Sequence, residues 1–187
     1  MARADCLPVE PRLVTIPAGP FRMGDDSGRA NERPAHDVWL DEFRIAITPV
    51  TRSAYQLFLD ATGHPRPRFW DDLRFVDPQQ PAVAVSWFGA VAYCDWLSSD
   101  STCCFRLPTE AEREKAARGG REGVDFPWGC DLPDWMDVRY GGDAVERPDR
   151  VAQDPANDFG LHNMADLVHE WCSDWYDAEY YAESPER

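Results

Sequence analysis

Arg106-Leu107-Pro108-Thr109-Glu110-Ala111-Glu112-Arg113-Glu114-Lys115-Ala116-Ala117-Arg118-Gly119-Gly120 carries its own start and stop signals. The Thr109 hydroxyl and the Glu112 carboxylate are spaced to satisfy each other's backbone N–H groups as a capping box. Gly119-Gly120 then ends the helix, because glycine enters the left-handed conformation without steric cost. Moving toward the N-terminus, a second helix is expected after Ser86, with Trp87, Ala90, Val91 and Cys94 on one face, running to about Leu97. Earlier still, Ala54, Tyr55, Phe58 and Leu59 recur at helical spacing behind a Thr51 cap, and Gly63 supplies the stop. The first fifty residues change period. Leu13-Val14-Thr15-Ile16, Pro17-Ala18-Gly19-Pro20 and Phe21-Arg22-Met23-Gly24 together read as a hairpin, and Val38-Trp39-Leu40 and Phe43 to Thr48 as two further short strands. Residues 1–187 therefore read as one loop-rich α+β domain, without repeats, linkers or low-complexity tracts.

The long connection from Val124 to Asn157 holds Phe126-Pro127-Trp128-Gly129 and many Asp, Pro and Gly residues, which suggests ordering by a ligand or ion. It leads into Asn157-Asp158-Phe159-Gly160-Leu161-His162-Asn163-Met164-Ala165-Asp166-Leu167-Val168-His169-Glu170-Trp171-Cys172-Ser173-Asp174-Trp175-Tyr176, an acidic and amide-rich turn set against aromatic residues.

Composition narrows the function classes. At 187 residues and 43% hydrophobic content the chain is long enough for one core, burying roughly 70% of its unfolded surface. Eight Trp, six Tyr and nine Phe point to an aromatic-rich interior. A net charge of −15 argues against nucleic acid, since a phosphate-binding surface needs a Lys/Arg excess; it fits solubility or cation binding instead. Lys115 is the single lysine, all other basic residues of the Lys/Arg class being arginine. The six cysteines (Cys6, Cys94, Cys103, Cys104, Cys130, Cys172) form no C-x-x-C pair and no repeated spacing, so neither a zinc site nor a disulfide framework is signalled. No apolar run opens the chain and none approaches the ~20 residues of a membrane span, so a cytoplasmic location with reduced thiols and no membrane partner is expected. Cys94 and Cys172 then read as small buried apolar groups.

Taken in order, the segments Ile16-Pro17-Ala18-Gly19 with Phe21 and Met23-Gly24, Arg33-Pro34-Ala35-His36, Pro49-Val50-Thr51, Pro81 to Ala90, Tyr93-Cys94 with Trp96-Leu97, Arg106 to Glu112, Ala116 to Gly120, Pro127-Trp128-Gly129 and Phe159 through Tyr176 resemble the formylglycine-generating enzyme (sulfatase-modifying factor) family. The resemblance covers nearly the whole chain. It implies a C-type-lectin-like fold, and a relationship to copper-dependent oxidases that convert a sulfatase cysteine to formylglycine, to enzymes of ergothioneine and pigment pathways, and to relatives that only bind ligands.

Carried over residue by residue, the resemblance places structural calcium at Asn163 and Glu170 through side chains and at Asp166 and Val168 through backbone carbonyls, a hard-oxygen set of the kind calcium takes. A second calcium would use Asp137, Val138 and Asp143. The plain alternatives are that Asn163 and Glu170 cap a turn and that the second loop is a solvated acidic stretch. The catalytic cysteine pair of the family follows an Arg-Gly-Gly-Ser-Trp motif that this chain does not contain; Arg118-Gly119-Gly120 belongs to the helix end and is followed by Arg121. No catalytic residue is therefore assigned, the copper ligands are taken as absent, and the chain reads as an N-terminal two-thirds of such a domain. Arg113, Lys115 and His169 also stand where the family has aromatic or apolar residues, and each would need a partner if buried. His162, His169 and Glu170 match no metal motif, and His36 reads as a structural hydrogen-bonding residue. Two functions follow as expectations: a family member directed at a sulfatase-like protein or peptide but inactive as this chain, or a non-catalytic lectin-like module binding a peptide or small molecule. Unpaired apolar area would favour self-association.

Overall fold

A computed structural model describes residues 10–99, 101–124, 126–131 and 147–184. Four short strands, β1 (Leu13–Ile16), β2 (Gly19–Met23), β3 (His36–Leu40) and β4 (Phe43–Ala46), precede three helices, α1 (Arg52–Thr62), α2 (Trp87–Ser99) and α3 (Glu110–Arg118). Single 3-10 turns lie at Ala30–Glu32, Leu73–Phe75 and Tyr180–Ala182. Most of the remaining described chain is loop.

The expected β1–β2 hairpin does not form. Strand β1 pairs antiparallel with β4, Leu13 opposite Ala46 and Ile16 opposite Phe43, while β2 pairs antiparallel with β3, Gly19 opposite Leu40 and Met23 opposite His36. Pro17 and Pro20 lack the N–H donors that a ladder across this turn would use. The carbonyls of Pro17 and Gly19 turn instead to α3, where the Lys115 ammonium donates to them at 2.9 and 2.8 Å. Lys115 is buried without a carboxylate partner among the described residues, and burial lowers its pKa. Its aliphatic stem and three donors let one side chain fasten the strand crossing to the helix.

Helix α1 starts and stops where its sequence signals lie: the Thr51 hydroxyl accepts from the Ala54 N–H, and Gly63 closes the helix at φ 68° with its N–H on the Leu59 carbonyl. In α3 both halves of the Thr109–Glu112 capping box are present and Gly119 takes φ 64°. Helix α2 departs from expectation in its buried face, which is Gly89, Tyr93 and Leu97 rather than Trp87, Ala90, Val91 and Cys94. Apolar side chains surround this helix, so periodicity cannot choose a face. The choice comes from α1: Tyr93 stacks on Tyr55 with ring centroids 5.6 Å apart. Any Cβ at position 89 would lie 2.9 Å from the Tyr55 hydroxyl, so glycine is what admits the close approach. Tyr55, Phe58, Leu59, Trp70, Tyr93 and Leu97 form the largest core cluster; Phe21, Met23, Val38 and Tyr181 form a second, and Ile16, Ala116 and Leu161 a third.

At the start of α3, Arg106 grips the buried Glu112 carboxylate with two hydrogen bonds of 2.7 and 2.6 Å, and the Thr109 N–H adds a third at 2.8 Å. Burial opposes ionisation of Glu112, but these donors outweigh it and hold its pKa below the ordinary 4.5. A depressed carboxylate pKa contributes stability that is complete above the unfolded value and is lost as pH falls through the folded one. Glu112→Gln is therefore expected to cost about 1 kcal/mol at neutral pH, modest because Arg106 is largely exposed. The deficit should shrink toward zero as pH falls below 4.5, as read by urea unfolding across that range.

Candidate functional site

The segment from Asn157 to Tyr181 contributes Leu161 and Tyr181 to two of the core clusters, and one buried side chain sets its path. Asn157 Nδ2 donates to the Ala116 and Ala117 carbonyls at 2.8 and 3.1 Å, satisfying the C-terminal end of α3, while its Oδ1 accepts from the Phe159 and Leu161 N–H groups, both at 3.1 Å. Gly119 presses against it: a Cβ there would lie 3.3 Å from three Asn157 side-chain atoms. Leu161 is thereby placed in the core beside Ile16 and Ala116. The glycine read as a helix stop is thus also a packing residue.

Beyond Leu161 the chain turns tightly, with Asn163 at φ 55° and Leu167 at φ 72°. Asn163 is buried; its Oδ1 accepts from the Ala152 N–H at 2.8 Å, and its Nδ2 faces Asp154 Oδ2 at 3.4 Å and Asp166 Oδ2 at 3.1 Å. These three side chains help line a cavity of about 20 Å³ that also touches Trp128, Asn157 and Leu161. The Asp166 carbonyl accepts the Val168 N–H at 2.9 Å. Glu170 is engaged elsewhere: Arg113 donates to its Oε2 through Nε at 2.9 Å and Nη2 at 2.5 Å. The structure thus gathers Asn163 and Asp166 at one cavity and commits Glu170 to an ion pair. Asp137, Val138 and Asp143 lie outside the described residues.

Arg113 and His169, the polar residues at aromatic or apolar family positions, resolve differently. Arg113 is mostly buried and neutralised by Glu170, whereas His169 is exposed. His162 Nδ1 hydrogen-bonds the Asp154 carbonyl at 2.8 Å, so His162, His169 and Glu170 do not converge. His36 bonds the Pro34 carbonyl through Nδ1 at 2.9 Å and meets the Tyr181 ring edge-on at 5.1 Å. Among the described residues, no three His, Cys, Asp or Glu side chains are placed to hold a metal ion.

The thiols of Cys94, Cys103, Cys104, Cys130 and Cys172 are free. Burial pushes the Cys94 and Cys172 thiols up to about 11. Cys103 moves the other way, because Arg44 Nη2 donates to its sulfur at 3.0 Å.

Residues 171–174 clamp the N-terminal ends of α2 and α3 together. Trp171 Nε1 donates to the Val85 carbonyl at 2.8 Å, Trp87 Nε1 to the Cys172 carbonyl at 2.9 Å, and the Ser173 N–H to the Pro108 carbonyl at 2.8 Å. Asp174 Oδ2 accepts the Glu110 N–H at 2.6 Å, a carboxylate capping the positive end of α3. Farther on, Tyr181 enters the β2–β3 core, its hydroxyl 3.4 Å from Glu114. Between these anchors Trp175 is 97% exposed and Tyr176 76%. The indole-to-carbonyl clamps that anchor this segment bridge residues about 85 positions apart and leave no local pattern in the sequence.

The model of the sulfatase-modifying factor enzyme 1-like domain, FGE-sulfatase, matches residues 2–186. This chain belongs to the FGE-sulfatase family. The domain is 33% identical over 230 residues to the formylglycine-generating enzyme of Streptomyces coelicolor, covering 92% of this chain and 71% of the relative. Hercynine oxygenase of Mycolicibacterium smegmatis is 34% identical over 200 residues, covering 86% and 45%. The serine/threonine-protein kinase pkn1 of Chlamydia caviae is 30% identical over 191 residues, and that match covers 93% of this chain but only 29% of the relative. Among solved structures, PvdO from Pseudomonas aeruginosa superposes with a TM-score of 0.79 at 30% identity, covering 94% of this chain and 75% of that one. The fold is thus the loop-rich mixed fold of this family.

Proposed function

We propose that this FGE-sulfatase domain is a polypeptide-binding module and that its own residues do not carry out oxidation of a sulfatase cysteine. The observation that supports binding is the aromatic pair Trp175 and Tyr176, exposed in a segment anchored on both sides. Large aromatics presented this way supply contact area at low ordering cost. A protein or peptide ligand also agrees with relatives named formylglycine-generating enzyme.

Soft thiolates select copper(I); burial opposes the thiolate form at Cys94 and Cys172, and the Cys103 sulfur takes a hydrogen bond from Arg44. Incubation of the chain with copper, oxygen and a Cys-x-Pro-x-Arg peptide is expected to leave the cysteine intact. Detection of the aldehyde by mass spectrometry overturns the non-oxidising half of the reading.

A second reading, structural calcium at the turn, is favoured by the carboxylates of Asp154 and Asp166, which meet at Asn163 beside one small cavity. Calcium takes hard oxygen ligands of this type. The set implied by resemblance, Asn163 and Glu170 with the carbonyls of Asp166 and Val168, requires Glu170 to exchange Arg113 for the cation. Calcium should then raise the melting temperature, and identical melting in calcium and in a chelator removes this reading.

A further inference from the structure

We propose that the cluster of Arg44, Ser101, Cys103 and Cys104 is a thiol-exchange site, at which Cys103 takes up a small carboxylate-bearing thiol from its disulfide. The inference is independent of the polypeptide-binding reading above. Arg44 of β4 reaches the loop that follows α2, where its Nη2 donates to Cys103 Sγ at 3.0 Å. Carboxylates outnumber bases in this chain, 34 Asp and Glu against 19 Lys and Arg, yet among the described residues Arg44 pairs with none of them and rests on a sulfur. The loop itself holds that sulfur in place: the Cys103 N–H donates to Ser101 Oγ at 3.0 Å, and Ser101 Oγ donates in turn to Glu10 Oε1 at 2.8 Å. Cys104 is adjacent and more exposed, but its surroundings differ. The charge it meets is that of Arg106, which already holds Glu112 with two hydrogen bonds.

A guanidinium on the sulfur favours the thiolate, so the Arg44 hydrogen bond lowers the Cys103 pKa against the opposing effect of burial. The thiolate is the nucleophile in exchange. Its sulfur attacks one sulfur of a disulfide R–S–S–R; the bond from Cys103 Sγ to that sulfur forms as the S–S bond breaks, and the departing R–S⁻ takes the proton that Cys103 had lost. Cys103 is thereby oxidised and one R–S group reduced. With its negative charge gone, the sulfur holds Arg44 less strongly, and the guanidinium fork is left to a carboxylate of R. Cys104 is badly placed to displace the adduct. The peptide between the two cysteines is trans, which sets their Cα atoms about 3.8 Å apart, closer than the ~4.4 Å at which ordinary disulfides begin.

Timed labelling of the reduced protein at neutral pH tests the inference with two disulfide probes, dianionic dithiobis(nitrobenzoate) and neutral dithiodipyridine. Peptide mapping after a limiting pulse of the dianion is expected to find Cys103 labelled first, although exposure ranks Cys104 and Cys130 ahead of it. Arg44→Gln should slow labelling of Cys103 about tenfold with the dianion, because both thiolate stabilisation and charge attraction are lost. With the neutral probe the slowing should be only about threefold, since a thiol of higher pKa is the better nucleophile once ionised. Arg44→Lys keeps the charge and should restore most of the rate with the dianion. The Arg44 side chain is exposed, so both variants stay folded, as circular dichroism would verify. Any other cysteine labelled before Cys103 overturns the inference, as does a Cys103 rate unchanged by Arg44→Gln. Equal slowing with the two probes overturns the carboxylate-bearing class of reagent. Oxidised glutathione, a disulfide that carries carboxylates, should leave a mixed disulfide on Cys103; a Cys103–Cys104 disulfide in its place overturns the adduct.

Discussion

Asn157→Ala is expected to destabilise the protein by about 3 kcal/mol or more, enough to remove a large part of a typical 5–15 kcal/mol stability. The substitution orphans four backbone groups at once: the Ala116 and Ala117 carbonyls and the Phe159 and Leu161 N–H groups. Each buried polar group left unsatisfied costs about 1–3 kcal/mol, and water relieves only part of it because Asn157 and Leu161 are buried. Asn157→Asp keeps the acceptor for Phe159 and Leu161 but turns a charge toward the two helix carbonyls, so it should rescue little at neutral pH. Urea unfolding measures the loss. Hydrogen exchange should show the Leu161 amide losing protection; a loss under about 1 kcal/mol would mean that Asn157 does not set the path of the segment.

Phe58→Ala should cost about 3–5 kcal/mol, through lost transfer free energy and the cavity left behind. Phe58 is among the largest fully buried side chains, and its ring meets Tyr55, Tyr93, Trp96 and His64 at centroid distances of 5.2, 5.7, 5.7 and 5.0 Å. Rings on both helices are locked by one another, so the site cannot collapse without breaking aromatic contacts on every side. Phe58→Leu, which keeps most of the volume, should recover more than half of the loss in the same unfolding experiment. Equal losses for the two variants would show that packing volume is not what Phe58 contributes.

Much of the fold was legible locally. Thr51, Thr109, Glu112, Gly63 and Gly119 act within a turn or two of the chain, where side-chain chemistry dictates backbone geometry. The strand pairing was not legible, because Pro17 to Pro20 resemble a turn and only Lys115, almost a hundred residues away, shows that their carbonyls are used by α3. The buried face of α2 was equally hidden, since an apolar helix offers every face to the core until Tyr55 selects one. At the candidate site the Asn163 amide meets the Asp166 carboxylate, where the resemblance implied the Asp166 carbonyl, and Glu170 serves Arg113, a pairing across 57 positions that spacing does not encode.

The sequence by itself determined the family, three helices with their boundaries, the aromatic character of the core and the acidity of the segment after His169. Those properties rest on composition, ordered motifs and short-range capping, all carried by neighbouring residues. The tertiary structure decided which strands pair, which charges neutralise one another and which aromatics remain outside. Those outcomes are differences between competing long-range contacts, in which desolvation, packing and ion pairing are settled only when distant segments meet. Trp171 and Trp175 illustrate the division: they lie four residues apart in one acidic segment, yet one indole donates to the Val85 carbonyl and the other is 97% exposed.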